Sequence, residues 1–371
     1  MGAIADVDIE AELATQIAAV AASGGAVEII GGDSKRFYGE AVDGLAIEVA
    51  GHSGVIDYDP AELVITLRAG CRLAEVETLL SGQRQMFGFE PPHFGAGATI
   101  GGMVASGLDG PRRAFCGSIR DFLLGVRVLD GRGQSLQFGG RVIKNVAGFD
   151  LSRLLAGSLG TLGVILEVSL RVMPVPESEA TLAFEHADAD QHIRWINQLG
   201  SEPYPISASM WQAGVSRLRL SGSEQGLRQA IAELGGEPVE FDWTGLREHR
   251  GGFFAEGQTL TEGQTRAEGQ TLTRALTRIA LPPASPDLYP GRAQLIEWGG
   301  ARRWLSGEVD IDELRRQASG MGGTVCAFRG HAAGVPVFHP LAPAMLKLQR
   351  AIKSSFDPAG IFNAGRIYPG L

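Results

Sequence analysis

Residues 95–107, GAGATIGGMVASG, set Gly95, Gly97, Gly101, Gly102 and Gly107 among small side chains, and the reading of this stretch decides the fold. Gly95-Ala96-Gly97 followed by Gly101 approaches the G-x-G-x-x-G fingerprint of dinucleotide-binding folds. Asp121 stands twenty residues past Gly101, where a ribose-binding acid is sought. The flanks argue against that reading. A Rossmann loop leaves the end of a buried parallel strand, but Glu90-Pro91-Pro92-His93 precede this one, and consecutive prolines cannot serve a central ladder. Asp121 lies ahead of the apolar run FLLGVRV, not at its end. A nicotinamide cofactor on this motif is therefore set aside.

Two glycine loops acting together are the alternative. Gly31-Gly32-Asp33-Ser34-Lys35-Arg36 follows the strand-like VEII at 27–30, and Thr99-Ile100-Gly101-Gly102 with Ser106-Gly107 lie in the opening stretch. Successive backbone N–H groups in a tight turn make an anion-binding nest, and glycine lets the chain approach a pyrophosphate closely. Either loop by itself is equally an ordinary turn. Gly at 52 of 371 residues is twice the usual ~7%, which points to a large ligand.

Composition narrows the classes further. At roughly 150 residues per domain, 371 residues imply about two domains. A net charge of −9 without a basic run argues against nucleic acid. Cys71, Cys116 and Cys326 form no C-x-x-C pair, so neither zinc nor an iron–sulfur cluster is expected on this chain, and the usage suits a reducing cytoplasm. No 18-residue apolar run occurs, so no direct membrane insertion is expected. Peripheral attachment at the inner membrane would come through partners.

Periodicity gives a helix over 8–22 stopped at Gly24-Gly25, strands at 27–30, 46–49, 54–59 and 63–70, and a helix over 73–80. FLLGVRVLD and SLQF around Asp130-Gly131-Arg132-Gly133 read as a hairpin. A helix near DLSRLLAG and a strand over 163–176 follow, and Pro174 and Pro176 mark a boundary. Beyond it, QHIRWINQL, SRLRLSG, EQGLRQAIAELGG, RAQLIEWG and DIDELRRQASGMGG alternate helix and strand patterns in a second α+β lobe. EGQT recurs at 256, 262 and 268, read as a surface insertion at 255–274. A helix over 343–356 precedes a tail expected to pack back on the body.

GGDSKRF, PPHFGAGATIGGMVASG, GSIRDFLLGVRVLDGRG and LLAGSLGTLGVILEVSLRV, in this order and spacing, resemble the FAD-binding domain of the vanillyl-alcohol oxidase and p-cresol methylhydroxylase (PCMH) type. The tail FDPAGIFNAGRIY resembles that family's C-terminal segment. Within the family the chain is most similar to FAD-binding subunits of bacterial glycolate oxidases. The resemblance implies an α+β fold with a two-subdomain FAD-binding domain over 1–176, a cap-like domain over 177–325 for substrate or interface, and a returning segment over 326–371. It places Gly31, Gly32, Ser34 and Lys35 on the pyrophosphate of FAD, with Thr99, Gly101, Gly102, Ser106 and Gly107 on its other side. Gly117, Ser118 and Asp121 would follow the ribityl and ribose portion, Gly160, Gly163 and Ile165 the adenosine end, and Asn363 and Arg366 the isoalloxazine edge.

The implied activity is oxidation of glycolate, a small 2-hydroxy acid, with a D-type flavoprotein subunit and an F-type iron–sulfur subunit as partners. The first loop departs from the commoner G-G-G-T/H-S form by carrying Asp33 and Lys35. It holds no histidine for a covalent flavin link, leaving His93 as the nearest one, read as a plain loop residue. Related hydroxy-acid dehydrogenases carry a histidine-rich metal motif that this chain lacks. His331 and His339 lack a third ligand, so no metal is expected and the catalytic base is unassigned. A flavin-containing relay or assembly subunit without its own turnover is the alternative. Trp211, Trp298 and Trp304 are read as core residues, with a subunit interface as the other possibility.

Overall fold

The computed structural model describes residues 4–140, 150–255 and 274–371. The chain divides into two units, one of residues 1–109, 117–175 and 340–371, the other of residues 110–116 and 176–339.

In the first unit, Glu10–Ser23 is helical because Leu13, Ile17 and Val20 recur on one buried face, and it stops at Gly24 with φ of 70°. Val27–Ile30 pairs in parallel with Leu45–Glu48, and Val27 also bridges Phe362 in parallel. The C-terminus thus supplies the other edge of this small sheet. A five-stranded antiparallel sheet runs Val55–Asp59, Val64–Arg68, Val164–Arg171, Leu123–Leu129, Ser135–Gly139. Its middle strand, VILEVSLR, keeps only Glu167 and Arg171 out of the fully buried class, as expected of a strand covered on both faces. The hairpin sets Leu129 opposite Ser135, and Asp130 Oδ1 accepts from the N–H groups of Arg132 and Gln134, both at 2.9 Å.

Local signals overreach in two places. DLSRLLAG yields only the 3₁₀ turn Leu151–Leu154, and the long strand ends at Arg171, leaving Pro174 in a two-residue pairing with Gln85.

The second unit is an eight-stranded antiparallel sheet in the order Glu237–Pro238, Ser178–Glu185, Val215–Gly222, Ile206–Gln212, Gln294–Glu297, Arg302–Ser306, Leu276–Ala280, Thr324–Arg329. Helices Ala189–Leu199 and Glu224–Leu234 place Ile196 and Leu227 on Leu182, Leu218 and Leu220, and Ile311–Gly320 places Leu314 and Ala318 on Ile279, Leu305 and Val325. Because Thr324–Arg329 is laddered to Leu276–Ala280, residues 326–339 stay with this unit. The returning segment therefore begins at 340 rather than 326. Gly110–Cys116 also belongs here, although the sequence set it in the first domain. Trp298 Nε1 donates to Gly110 O at 2.9 Å, and the guanidinium groups of Arg302 and Arg113 lie 3.7 and 4.5 Å from the Trp298 ring centre. Trp211 and Trp304 are buried. The EGQT repeats lie outside the described residues.

Ser216 Oγ lies 2.8 Å from Nδ1 of both His186 and His192. His192 is fully buried, its Nε2 has no partner among the described residues, and burial with the neighbouring His186 and Arg303 pushes its pKa down to about 3. One hydroxyl proton cannot serve two unprotonated nitrogens. An Nδ1–H tautomer on His192, donating to Ser216, leaves an acceptor rather than a donor unpaired in the core. An unfolded histidine titrates near pH 6.5. The unfolded chain therefore takes up this proton first as pH falls, so the stability is complete above ~6.5 and is lost on the way down to about 3. His192→Asn should flatten the stability profile across that window by about 1.4 kcal/mol per pH unit. Urea unfolding at a series of pH values measures the slope, and parallel profiles for the two proteins would contradict it.

Candidate functional site

In the first unit, a cavity of about 900 Å³, its solvent mouth included, is lined by four separate segments of chain. They are Glu28–Arg36, Thr99–Ser106, Leu159–Ile165 and the tail residues Asn363 and Arg366, with Val42, Val49 and Ala69 completing the wall.

The first loop supplies the donors. Gly31, Gly32, Asp33 and Ser34 follow the strand Val27–Ile30, and none of their N–H groups donates to a protein acceptor among the described residues. Asp33 has φ of 57°. A left-handed residue is one half of the paired backbone conformation that forms an anion-binding nest. Lys35 is turned into the wall, with Nζ donating to His93 O at 3.1 Å and Ser34 Oγ at 3.3 Å. Arg36 grips Asp33 through Nε at 2.8 and 2.9 Å and also pairs with Glu28; its pKa is raised, chiefly by the Asp33 hydrogen bond. The two carboxylates nearest the loop are thus held by one guanidinium.

The second loop differs from the nest expected of it. Ile100–Ser106 is a helix capped by Thr99, with Gly107 at φ of 60° ending it. Its first N–H groups are already satisfied: Ile100 donates to Cys71 O at 3.0 Å, Gly101 to Ala69 O at 2.7 Å, Gly102 to Thr99 Oγ1 at 3.2 Å and Met103 to Thr99 O at 2.9 Å. Its glycines serve contact instead. A methyl on Gly101 would lie 2.7 Å from Ala69 Cβ, one on Gly31 2.7 Å from Thr99 Oγ1, and one on Gly32 1.4 Å from Gly97 O. The segment is a wall pressed against the first loop.

The tail closes another side. Asn363 donates from its N–H to Val27 O at 2.9 Å, accepts from Ile29 N–H at 2.8 Å on Oδ1, and donates from Nδ2 to Leu159 O at 2.6 Å. Its φ of 41° suits asparagine better than most residues. Gly160 is pressed on the same amide, since a methyl there would lie 2.6 Å from Asn363 Nδ2. Gly160 and Asn363 therefore mark one region of the cavity, not opposite ends of a ligand. Arg366 donates to the carbonyls of Glu40 at 2.8 Å, Arg36 at 3.0 Å and Tyr38 at 3.1 Å, and its burial lowers its pKa.

Of the residues singled out in the sequence, Gly31, Gly32, Ser34, Lys35, Thr99, Gly101, Gly102, Ser106, Gly160, Gly163, Ile165, Asn363 and Arg366 line this cavity. Gly107, Gly117, Ser118 and Asp121 do not. Gly107 meets Gly157, with a methyl position 2.9 Å from Gly157 Cα. Asp121 Oδ2 accepts from Ser118 N–H at 2.9 Å and Ser118 Oγ at 2.8 Å, closing a capping box on the turn Ile119–Phe122. The S-x-x-D spacing was the available signal for that role. Glu28, Val42, Val49, Ala69 and Ala105 line the cavity without having been marked. Val42, Val49 and Ala69 carry no motif and come together only through the fold.

The histidines stand elsewhere. His93 Nε2 lies 2.9 Å from Glu77 Oε2. His331 Nε2 lies 3.2 Å from Thr277 Oγ1, while His339 lies beside Ser319 and Val325. Among the described residues no group of three His, Cys, Asp or Glu side chains could hold a metal, and no helix is long and apolar enough to cross a membrane.

The fold agrees with the comparisons. Residues 2–139 match the family model described as FAD binding domain, which makes this an FAD-linked protein. A solved structure of alkyldihydroxyacetonephosphate synthase superposes with a TM-score of 0.63 at 14% identity, covering 95% of this chain and 74% of the other, a likeness of fold. The chain is 41% identical over 344 residues to glycolate oxidase subunit GlcE of Escherichia coli, spanning 92% of this chain and 93% of that one. It therefore belongs to the glycolate oxidase subunit GlcE family. Glycolate oxidase subunit GlcD of Bacillus subtilis is 31% identical over 137 residues, 36% of this chain and 29% of that one.

Proposed function

We propose that this chain is the FAD-holding GlcE-type subunit of a glycolate-oxidising enzyme, with FAD in the cavity of the first unit. The near full-length likeness to glycolate oxidase subunit GlcE carries this reading. The free N–H groups of Gly31–Ser34 offer a seat for a pyrophosphate, and the apolar wall of Ile29, Val42, Val49 and Ile165 suits the rest of a large aromatic cofactor. Conversion of glycolate to glyoxylate removes two electrons and two protons. FAD, when bound, supplies the acceptor for the electron pair. The chain's own residues bind and orient it: the first loop through backbone donors, Asn363 by fixing Ile29 to Leu159, and Arg366 by tying the tail to residues 36–40. A D-type flavoprotein subunit and an iron–sulfur subunit complete the electron path, and the second unit is the cap or interface domain.

One observation favours a relay role without substrate turnover on this chain. The described lining residues include no histidine, and the carboxylates Glu28 and Asp33 both pair with Arg36, which leaves no evident base. Anaerobic mixing of the flavin-loaded chain with glycolate, alone and with the other subunits, separates the roles. Bleaching of the visible flavin band in the isolated chain assigns turnover here. Bleaching only in the assembled enzyme assigns a relay. A chain that neither purifies with FAD nor takes it up contradicts both.

A further inference from the structure

The first loop sets an acid inside an anion seat. Asp33 contributes its backbone N–H to the donor run Gly31–Ser34 while its side chain carries a negative charge, and Glu28, on the preceding strand, lines the same cavity. A doubly charged pyrophosphate brought onto these N–H groups meets both carboxylates, and like charges sharing a site repel. Two cations of the lining are committed to neutral partners. Lys35 Nζ donates to His93 O and Ser34 Oγ, and Arg366 donates to the carbonyls of Glu40, Arg36 and Tyr38. Arg36 is the cation placed on the acids, with Nε 2.8 and 2.9 Å from the two Asp33 oxygens and Nη1 2.5 Å from Glu28 Oε1. Over the lining, Lys35, Arg36 and Arg366 stand against Glu28 and Asp33, a net charge of +1 that falls to zero without Arg36.

We propose that Arg36 is the counter-charge residue of the cofactor site: by holding Asp33 and Glu28 it cancels the repulsion they exert on a pyrophosphate, and so lets an acid-bearing loop take an anion. The proposal rests on the FAD site stated under Proposed function. A staple that merely shapes the turn accounts for the clamp less well. The turn closes through the backbone, where Arg36 N–H donates to Asp33 O at 3.4 Å, and the Arg36 and Asp33 side chains are both about half exposed. Exposed ion pairs contribute little to stability, whereas a charge beside a bound anion acts on that anion directly.

The test is fluorescence titration of the full-length apo-proteins with FAD, at low and at high potassium chloride, with thermal unfolding read on each. Arg36→Met should bind FAD about 10-fold more weakly at low salt, the scale of one charge removed beside a divalent anion in a solvated site, with its unfolding midpoint unchanged. Wild-type affinity should fall as salt screens the site, and the affinity of Arg36→Met should no longer fall. Adding Glu28→Gln and Asp33→Asn to Arg36→Met should restore most of the lost affinity, which loss of a staple would not allow. Glu28→Gln/Asp33→Asn with Arg36 kept should bind FAD at least as tightly as the wild type, and this variant carries the test if Arg36→Met fails to fold. Asparagine suits the left-handed backbone at position 33. Wild-type affinity in folded Arg36→Met, or a loss that the triple substitution does not relieve and that keeps the wild-type salt dependence, overturns the proposal while leaving the FAD site intact. Weaker binding on removal of the two acids with Arg36 kept overturns it as well, because the carboxylates would then be contacts of the cofactor. A wild-type chain that takes up no FAD overturns the cofactor reading and this proposal with it.

Discussion

Gly32→Ala is expected to yield a protein that purifies without colour and takes up FAD at least about 100-fold more weakly than the wild type, a loss of about 2.7 kcal/mol. The new methyl would sit 1.4 Å from Gly97 O, 2.3 Å from Gly97 C and 3.0 Å from Ala98 N, all backbone atoms. No side-chain rotation relieves such a contact, so the loops must part. Gly97 meets the same limit from the other side, where a methyl would lie 2.5 Å from Gly32 O. Parting the loops displaces the N–H groups of Gly31–Ser34 that form the donor surface. Gly320→Ala, where nothing lies within 4 Å of the added methyl, is the control and should keep its flavin. Fluorescence titration of the apo-proteins measures the difference, and far-UV circular dichroism shows whether each variant is folded. A folded Gly32→Ala protein with wild-type affinity would contradict the close approach of the two loops.

The second large effect is expected at Lys353. Its Nζ donates to Asp357 Oδ2 at 2.7 Å, Phe362 O at 2.7 Å and Thr161 O at 2.9 Å. Asp357 is 1% exposed and also accepts from the N–H groups of Ile361 at 3.1 Å and Phe362 at 2.8 Å. Burial lowers the Lys353 pKa against the opposing pull of Asp357. Lys353→Met removes the cation and leaves a buried carboxylate and two carbonyls without it. Breaking such a pair from one side costs about 3–5 kcal/mol. The same ammonium joins the loop holding Leu159 and Gly160 to the turn that presents Asn363, so flavin retention should fall together with stability. Replacing both partners, Lys353→Met with Asp357→Leu, should recover part of the stability, because no charge is then left unpaired. Differential scanning calorimetry of the wild type and the two variants decides it. A single variant that unfolds at the wild-type temperature would show that the pair does not hold the tail.

Much of this architecture was legible where local chemistry decides it. VEII is a strand over the four residues expected, and the C-terminal helix starts at Pro343 and ends at Phe356 as its pattern required. Proline at the first helical position and the glycine after the first helix are signals that act within a few residues. The helix Ile100–Ser106 was missed because glycine occupies its second and third positions and lowers helix propensity by about 1 kcal/mol each. What stabilises it comes from elsewhere, through the carbonyls of Ala69 and Cys71 and the Thr99 cap. The two glycine loops do pack against each other, at Gly32 and Gly97, yet their different hydrogen bonding was hidden. One carries free donors and the other a packed wall, which depends on hydrogen bonds between distant segments. The same holds for Gly110–Cys116, whose place beside Trp298 no nearby residue announces.

FAD is proposed to lie with its pyrophosphate on the first glycine loop. The direct measurement is a crystal structure of the flavin-loaded chain. Pyrophosphate oxygens should lie about 3 Å from backbone nitrogens of Gly31–Ser34, within hydrogen-bonding range. Asn363 should remain bonded to Ile29 and Leu159. A pyrophosphate seated instead on the N-terminus of Ile100–Ser106, or a flavin bound outside this cavity, would contradict the account.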